Sequence, residues 1–159
     1  MSAQTSAFLD PLDVRQVGWR DGRPVWMTLA PLRYRSALLG AVLVVPAEFV
    51  TDLASVPRAP LAYLLAGGKG NRSAVVHDFP YQFGYWLREG RSRLLVPAKR
   101  LPDAVFHESL LADPVSGADG LTAWLMGAMV RAFGRGVWAD GDRAGVLNPV
   151  WSANGGPEA

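Results

Sequence analysis

Cysteine is absent from all 159 residues, which excludes disulfides and thiolate chemistry. Histidine occurs only as His77 and His107, too few for a multi-histidine metal centre. Lysine is nearly missing as well: fourteen of the sixteen basic residues are arginine, and Lys69 and Lys99 complete the set. Against fourteen acidic residues this leaves +2, too small a charge to argue nucleic-acid binding. No apolar run approaches the roughly 20 residues that span a membrane. Met1 to Asp10 lacks a basic stretch followed by an apolar core, so no secretory signal is expected. There is no Gly-x-Ser-x-Gly elbow, no P-loop ending and no dinucleotide fingerprint. A soluble chain, or a piece of a soluble assembly, is what remains.

Half of the residues are apolar, with six Trp, six Phe and four Tyr, enough for one sizeable core. Short runs rich in Val, Trp and Leu at Val14 to Trp19, Val25 to Leu29 and Ala41 to Val45 read as strands. Asp21-Gly22 between the first two predicts a hairpin. Phe49-Val50-Thr51 reads as a further short strand leading into Asp52. The second half reads as helical. Ser73 is placed to cap a helix from Ala74 toward Leu87, which Pro80 must end or kink. Pro102 suits the first turn of a helix running through Leu111, with Asp103 near its positive end. Leu121 to Phe133 is apolar on almost every face and ends at Gly134, which predicts a central, mostly buried helix. The expected fold is α+β: N-terminal antiparallel hairpins packed on about three C-terminal helices. Residues 1–147 form one domain in this reading, and the Gly/Pro/Asn-rich residues 148–159 form a tail.

The chemistry concentrates around Val75-Val76-His77-Asp78-Phe79, where a titratable base stands inside an apolar run. Neutral imidazole transfers protons near pH 7 and ligates metals. The alternative is a buried histidine satisfied by one hydrogen bond. Helical neighbours point about 100° apart, so Asp78 faces a different side from His77. Asp52 is a carboxylate between apolar runs, costly to bury unless it pairs, caps the turn at Ala54 and Ser55, or binds a metal. Asp103 and His107 share a helix face; His107 is expected in solvent, and Asp103 is the better candidate to orient the His77 ring. The loop Ala66-Gly67-Gly68-Lys69-Gly70-Asn71 either presents backbone groups to an ion or is simply a flexible turn. Arg88, Arg91, Arg93, Lys99 and Arg100 form the one basic cluster that would suit nucleic acid.

Four segments carry a resemblance: Val45-Pro46-Ala47-Glu48-Phe49-Val50-Thr51-Asp52-Leu53-Ala54-Ser55-Val56-Pro57-Arg58, Ala74 to Tyr81, Asp103 to Phe106, and Met129 to Gly134. Over roughly residues 20 to 138 the chain resembles the phage and prophage family called domain of unknown function 1353. Glu48, where a small residue is expected, and Pro80 depart from the pattern. The resemblance implies a virion-associated protein of tail, neck or baseplate, found in the virion or host cytoplasm. Its implied partners are other phage structural proteins, arranged as a homo-oligomeric ring or tail assembly. More weakly, the order Gly68-Lys69-Gly70-Asn71, His77-Asp78, Tyr81, Asp103 is similar to the calcium-dependent His-Asp phospholipases, secreted and viral. That similarity implies His77 as general base, Asp103 as its orienter, and Asp78 with Gly68 and Gly70 as a divalent-cation site for calcium or zinc. Asp52 joins His77 and Asp103 as a candidate catalytic residue. The alternative to a structural virion protein is therefore a small hydrolase acting on phospholipid or peptidoglycan.

Overall fold

In the computed structural model, residues 5–52, 70–90, 92–115, 118–133, 138 and 147–148 are described. The hairpin forms as its turn residues require. β2 (Val14–Arg20) and β3 (Arg23–Thr28) pair antiparallel, joined by Asp21 and Gly22 at φ 49° and 71°. Two successive positive φ angles match the right-handed twist of the strands. β6 (Val50–Thr51) adds to β3, completing a three-stranded sheet in the order β2-β3-β6. A second sheet of five strands runs β1-β4-β5-β7-β8, from β1 (Ala7–Phe8), β4 (Leu32–Ser36), β5 (Ala41–Val45), β7 (Tyr85–Arg88) and β8 (Arg93–Leu95). Among the described residues three helices follow or interrupt the strands: α1 (Asn71–Phe83), α2 (Arg100–Ala112) and α3 (Gly120–Phe133). The fold is α+β, as the sequence pattern requires.

Four local expectations need correction. The helix expected to run toward Leu87 stops at Phe83, because Gly84 takes the left-handed conformation (φ 75°) and returns its N–H to the Pro80 carbonyl. Tyr85-Trp86-Leu87-Arg88 then becomes a strand between β5 and β8, so one strand pair of the larger sheet comes from the half of the chain read as helical. The helix also starts earlier than Ser73. Gly70 occupies the cap position with φ 75°, and Ser73 lies buried in the first turn. Finally, α3 is not wrapped by core. Ala123, Met126 and Val130 are buried, whereas Leu121 and Trp124 are 76% and 61% exposed.

Pro80 neither ends nor breaks α1. A proline lacks the N–H that would bond the carbonyl four residues earlier, here that of Val76. The Trp86 indole N–H supplies the missing donor, 2.9 Å from the Val76 oxygen. Trp86 is wholly buried, so the carbonyl has no solvent to fall back on. Trp86→Phe should therefore cost about 1–3 kcal/mol through the orphaned carbonyl. Pro80→Ala in the same chain should restore part of that loss, since the alanine N–H lies in place for the same oxygen. Denaturant unfolding of both single variants and the double variant measures the coupling; simple additivity would show that the indole does not replace the helical bond.

Two apolar clusters hold the layers. Leu32, Tyr34, Leu43 and Val45 of the larger sheet pack on Val75, Val76 and Phe79 of α1. Ala74, Phe106, Leu110, Ala123, Met126 and Val130 join the three helices. Gly70 is required at their junction, because a Cβ there would lie 3.1 Å from both Leu110 Cδ2 and Met126 Cε. Glu108 ties α2 to the sheet end by accepting from the Ser6, Tyr34 and Ser36 hydroxyls and the Leu38 N–H. At Glu48 the backbone takes φ 65°, the left-handed region that favours glycine, which accounts for the small residue expected there. Asn148, the first residue of the expected tail, is buried; its amide both donates to and accepts from the Val50 backbone.

Candidate functional site

α1 carries His77 and Asp78 into the interior, and the 100° step between them sends each to a different element. His77 points at α2, where its Nε2 lies 3.0 Å from Asp103 Oδ1. Asp78 points toward β6, where the Thr51 hydroxyl donates to its Oδ2. Tyr81, one helical turn beyond His77, donates its hydroxyl to the same Asp103 Oδ1 at 2.7 Å. The imidazole is enclosed by rings, with Tyr81 at 4.2 Å and Phe106 at 5.1 Å between centroids. His77 is 0% exposed and Asp103 2%.

Asp103 is the hub of this arrangement. Its Oδ2 accepts at 2.6 Å from the ammonium of Lys99, the residue at the N-cap of α2 four positions earlier. The ammonium also donates to the Val130 carbonyl at 2.8 Å and the Arg131 carbonyl at 3.2 Å. Those oxygens belong to the last four residues of α3, whose carbonyls have no helical donor. Lys99 thus caps α3 at its negative end while neutralising Asp103. Sequence reasoning placed Lys99 in a basic cluster and missed this role; its position four residues before Asp103 was the available signal. Of that cluster, Arg88 bonds Ser92 Oγ and Arg93 stacks on Tyr85, while Arg91 lies outside the described residues.

The electrostatics follow from burial and these bonds. Burial works to raise the Asp103 pKa, but hydrogen bonds from His77, Lys99 and Tyr81 outweigh it, and the carboxyl is held below the usual range. For His77 burial is the largest influence and lowers the pKa, against the raising effect of Asp103. Burial, then the hydrogen bond to Asp103, pushes the Tyr81 hydroxyl up. The resident state is a carboxylate facing a neutral imidazole. A carboxylate has no proton to give, so the ring nitrogen facing it, Nε2, carries the hydrogen. Nδ1 lies 4.0 Å from the Asp78 Oδ1, beyond direct hydrogen-bonding range.

The structure thus brings together His77, Asp103 and Asp78 of the sequence-derived candidates, and adds Tyr81, Lys99 and Thr51. Asp52 is buried immediately after Thr51 at the end of β6; the turn it was expected to cap, at Ala54 and Ser55, lies outside the described residues. Gly68 lies outside them too. The Gly70 carbonyl is engaged in the first bond of α1, accepting from Ala74 N–H at 2.8 Å. His107, expected in solvent, is half-buried, with its Cδ2 3.3 Å from where a Gly127 Cβ would stand. Both Asp103 oxygens are taken, one by an ammonium, and among the described residues no three His, Asp or Glu side chains are placed to hold a metal ion. Nor, among these residues, is any helix long and apolar enough to cross a membrane.

A family model described as "Protein of unknown function (DUF1353)" matches residues 26–127, more than half of the chain. The match runs from within β3 through β8, α1 and α2 into α3, and takes in Thr51, His77, Asp78, Tyr81, Lys99 and Asp103. No curated protein and no solved structure matches the chain.

Proposed function

The chain belongs to the DUF1353 family, and from that premise we propose a phage- or prophage-type protein whose His77–Asp103 pair is the base of a small hydrolytic centre. The observation that carries this reading is the 3.0 Å bond between the Nε2 of a buried imidazole and a buried carboxylate. A carboxylate that holds the ring in place is how a histidine base is oriented in acyl hydrolysis. In the proposed step, the His77 imidazole takes a proton from water as the water oxygen bonds the acyl carbon. The tetrahedral intermediate then expels the alcohol or amine, which takes that proton back from the imidazolium. Asp103 stabilises the transient imidazolium, and Tyr81 and Lys99 hold Asp103 in place. Carboxylic esters of phospholipids and amides of peptidoglycan are the substrate classes to try, and no step is routed through a metal.

A second reading is favoured by one observation, the complete burial of the His77 ring. In that case the network locks α1 to α2 in a structural virion component of tail, neck or baseplate, built with copies of itself or other phage proteins. Assaying phospholipid vesicles and purified peptidoglycan, each with and without added Ca²⁺ and Zn²⁺, separates the two. Hydrolysis that falls about 10²–10⁴-fold in His77→Gln supports the catalytic reading. Glutamine keeps a donor for Asp103, so the variant should still fold. No hydrolysis of either substrate by the wild-type chain, or full activity in the variant, leaves the structural reading standing.

A further inference from the structure

α3 is apolar on two sides, and the core uses one of them. Ala123, Met126 and Val130 pack among the helices. On the opposite side Leu121, Leu125, Ala128 and Ala132 follow spacings of four, three and four, which aligns them in one stripe. Leu121 and Ala132 are exposed, Leu125 is 44% exposed and Ala128 is half-buried, with Trp124 exposed on the flank. From Gly120 to Phe133 the only charged residue is Arg131. A surface helix ordinarily turns charged residues outward, and one that is apolar all round is ordinarily covered. We propose that this stripe is a two-fold interface, at which α3 packs antiparallel on α3 of a second copy of the chain. Such a dimer forms whether the His77 site is catalytic or structural.

The order of side-chain sizes along the stripe selects that occupant. Its first half carries Leu121 and Leu125, its second half Ala128 and Ala132. An antiparallel copy sets Leu121 against Ala132 and Leu125 against Ala128, large on small at every contact. A parallel copy would instead crowd leucine on leucine at one end and leave a gap between alanines at the other. The charges agree with the first arrangement. In the antiparallel register Arg131 of the second copy comes level, within one helical turn, with Trp124 and with Asp119, the exposed carboxylate that caps the start of α3. Two-fold symmetry makes each of these approaches occur twice. A bilayer surface fits less well. A helix lying on lipid keeps a cationic polar face toward water, whereas the far side of α3 is packed core.

Sedimentation of the full chain at micromolar concentration should give the mass of two 17.1 kDa chains. Leu125→Glu should weaken the dimer about 100-fold or more, since each dimer would bury two carboxylates without partners. Ala128→Trp should weaken it too, although it adds apolar surface, because the new ring fills the space that Leu125 of the second copy takes. Cross-linking reads the orientation, and the absence of native cysteine makes it clean. Chains carrying Leu121→Cys mixed with chains carrying Ala132→Cys should form a mixed disulfide on oxidation, and neither should link to itself. Both positions are exposed, so these variants should fold. A monomeric wild type overturns the proposal, as does a dimer that Leu125→Glu leaves at full strength. Tighter association in Ala128→Trp would mean indiscriminate apolar contact, and a self-linked Leu121→Cys would mean a parallel pair; either outcome overturns it as well.

Discussion

Asp103→Ala is expected to lose about 3–5 kcal/mol of stability, a large share of the 5–15 kcal/mol that holds a typical domain. The cost does not come from the methylene removed. It comes from what is left behind: a mostly buried ammonium at Lys99 without its carboxylate, a Tyr81 hydroxyl without its acceptor, and a His77 Nε2 that has lost Asp103. Asp103→Asn should be milder, since the amide oxygen still accepts from His77 or Tyr81, although its NH₂ would meet the Lys99 ammonium as donor against donor. The decisive variant is the double change Asp103→Leu with Lys99→Met. Breaking a buried pair strands a charge, whereas removing the whole pair does not, so the double variant should recover most of the loss. Chemical denaturation of the singles and the double gives the coupling directly. If the double variant were as unstable as the sum of the singles, the stranded-charge explanation would fail.

The parts of this arrangement that were legible in the sequence are those set by local chemistry. Asp21-Gly22 can close a two-residue hairpin in few other ways, and Val50-Thr51 alternates like the strand it forms. Helical geometry alone required His77 and Asp78 to face apart, and the apolar neighbours Val105 and Phe106 made Asp103 the better candidate to orient the ring. What was not legible depends on partners distant in sequence. Pro80 signals a helix end, and only Trp86, folded back from the next strand, makes the helix continue past it. Tyr85 to Arg88 is as compatible with helix as with strand until Gly84 turns the chain and β5 offers an edge. Lys99 resembles any surface lysine beside arginines, because the carbonyls it binds lie about 30 residues away on another helix. The buried face of α3 was likewise hidden by composition, since Leu121 and Trp124 are as apolar as the core residues beside them.

Acid should weaken the fold well before its carboxylates titrate, and His77 is the reason. Burial lowers the folded-state pKa of His77 below the ordinary 6.5, so in that range the unfolded chain binds a proton that the folded chain refuses. Stability therefore falls as pH drops below about 6.5, at up to about 1.4 kcal/mol per pH unit, until the depressed folded pKa is reached. The carboxylate limb is separate. Asp103 and Asp10 are held below 3.8, so their contribution is complete above that pH and is lost only as pH falls through their folded values. Burial and Asp103 raise the Tyr81 pKa, so its contribution is present below about 10 and is lost on the alkaline side. Denaturant midpoints measured from pH 8 to pH 3 should therefore show two acid steps in wild type. His77→Gln should be less stable at pH 8, yet nearly flat between pH 6.5 and the onset of the carboxylate step. The slope separates the two ways in which a buried histidine can be satisfied. If wild type were flat across that window, the folded ring would take up its proton with ordinary affinity, and imidazolium and Asp103 would form an ion pair in the fold below about pH 6.5.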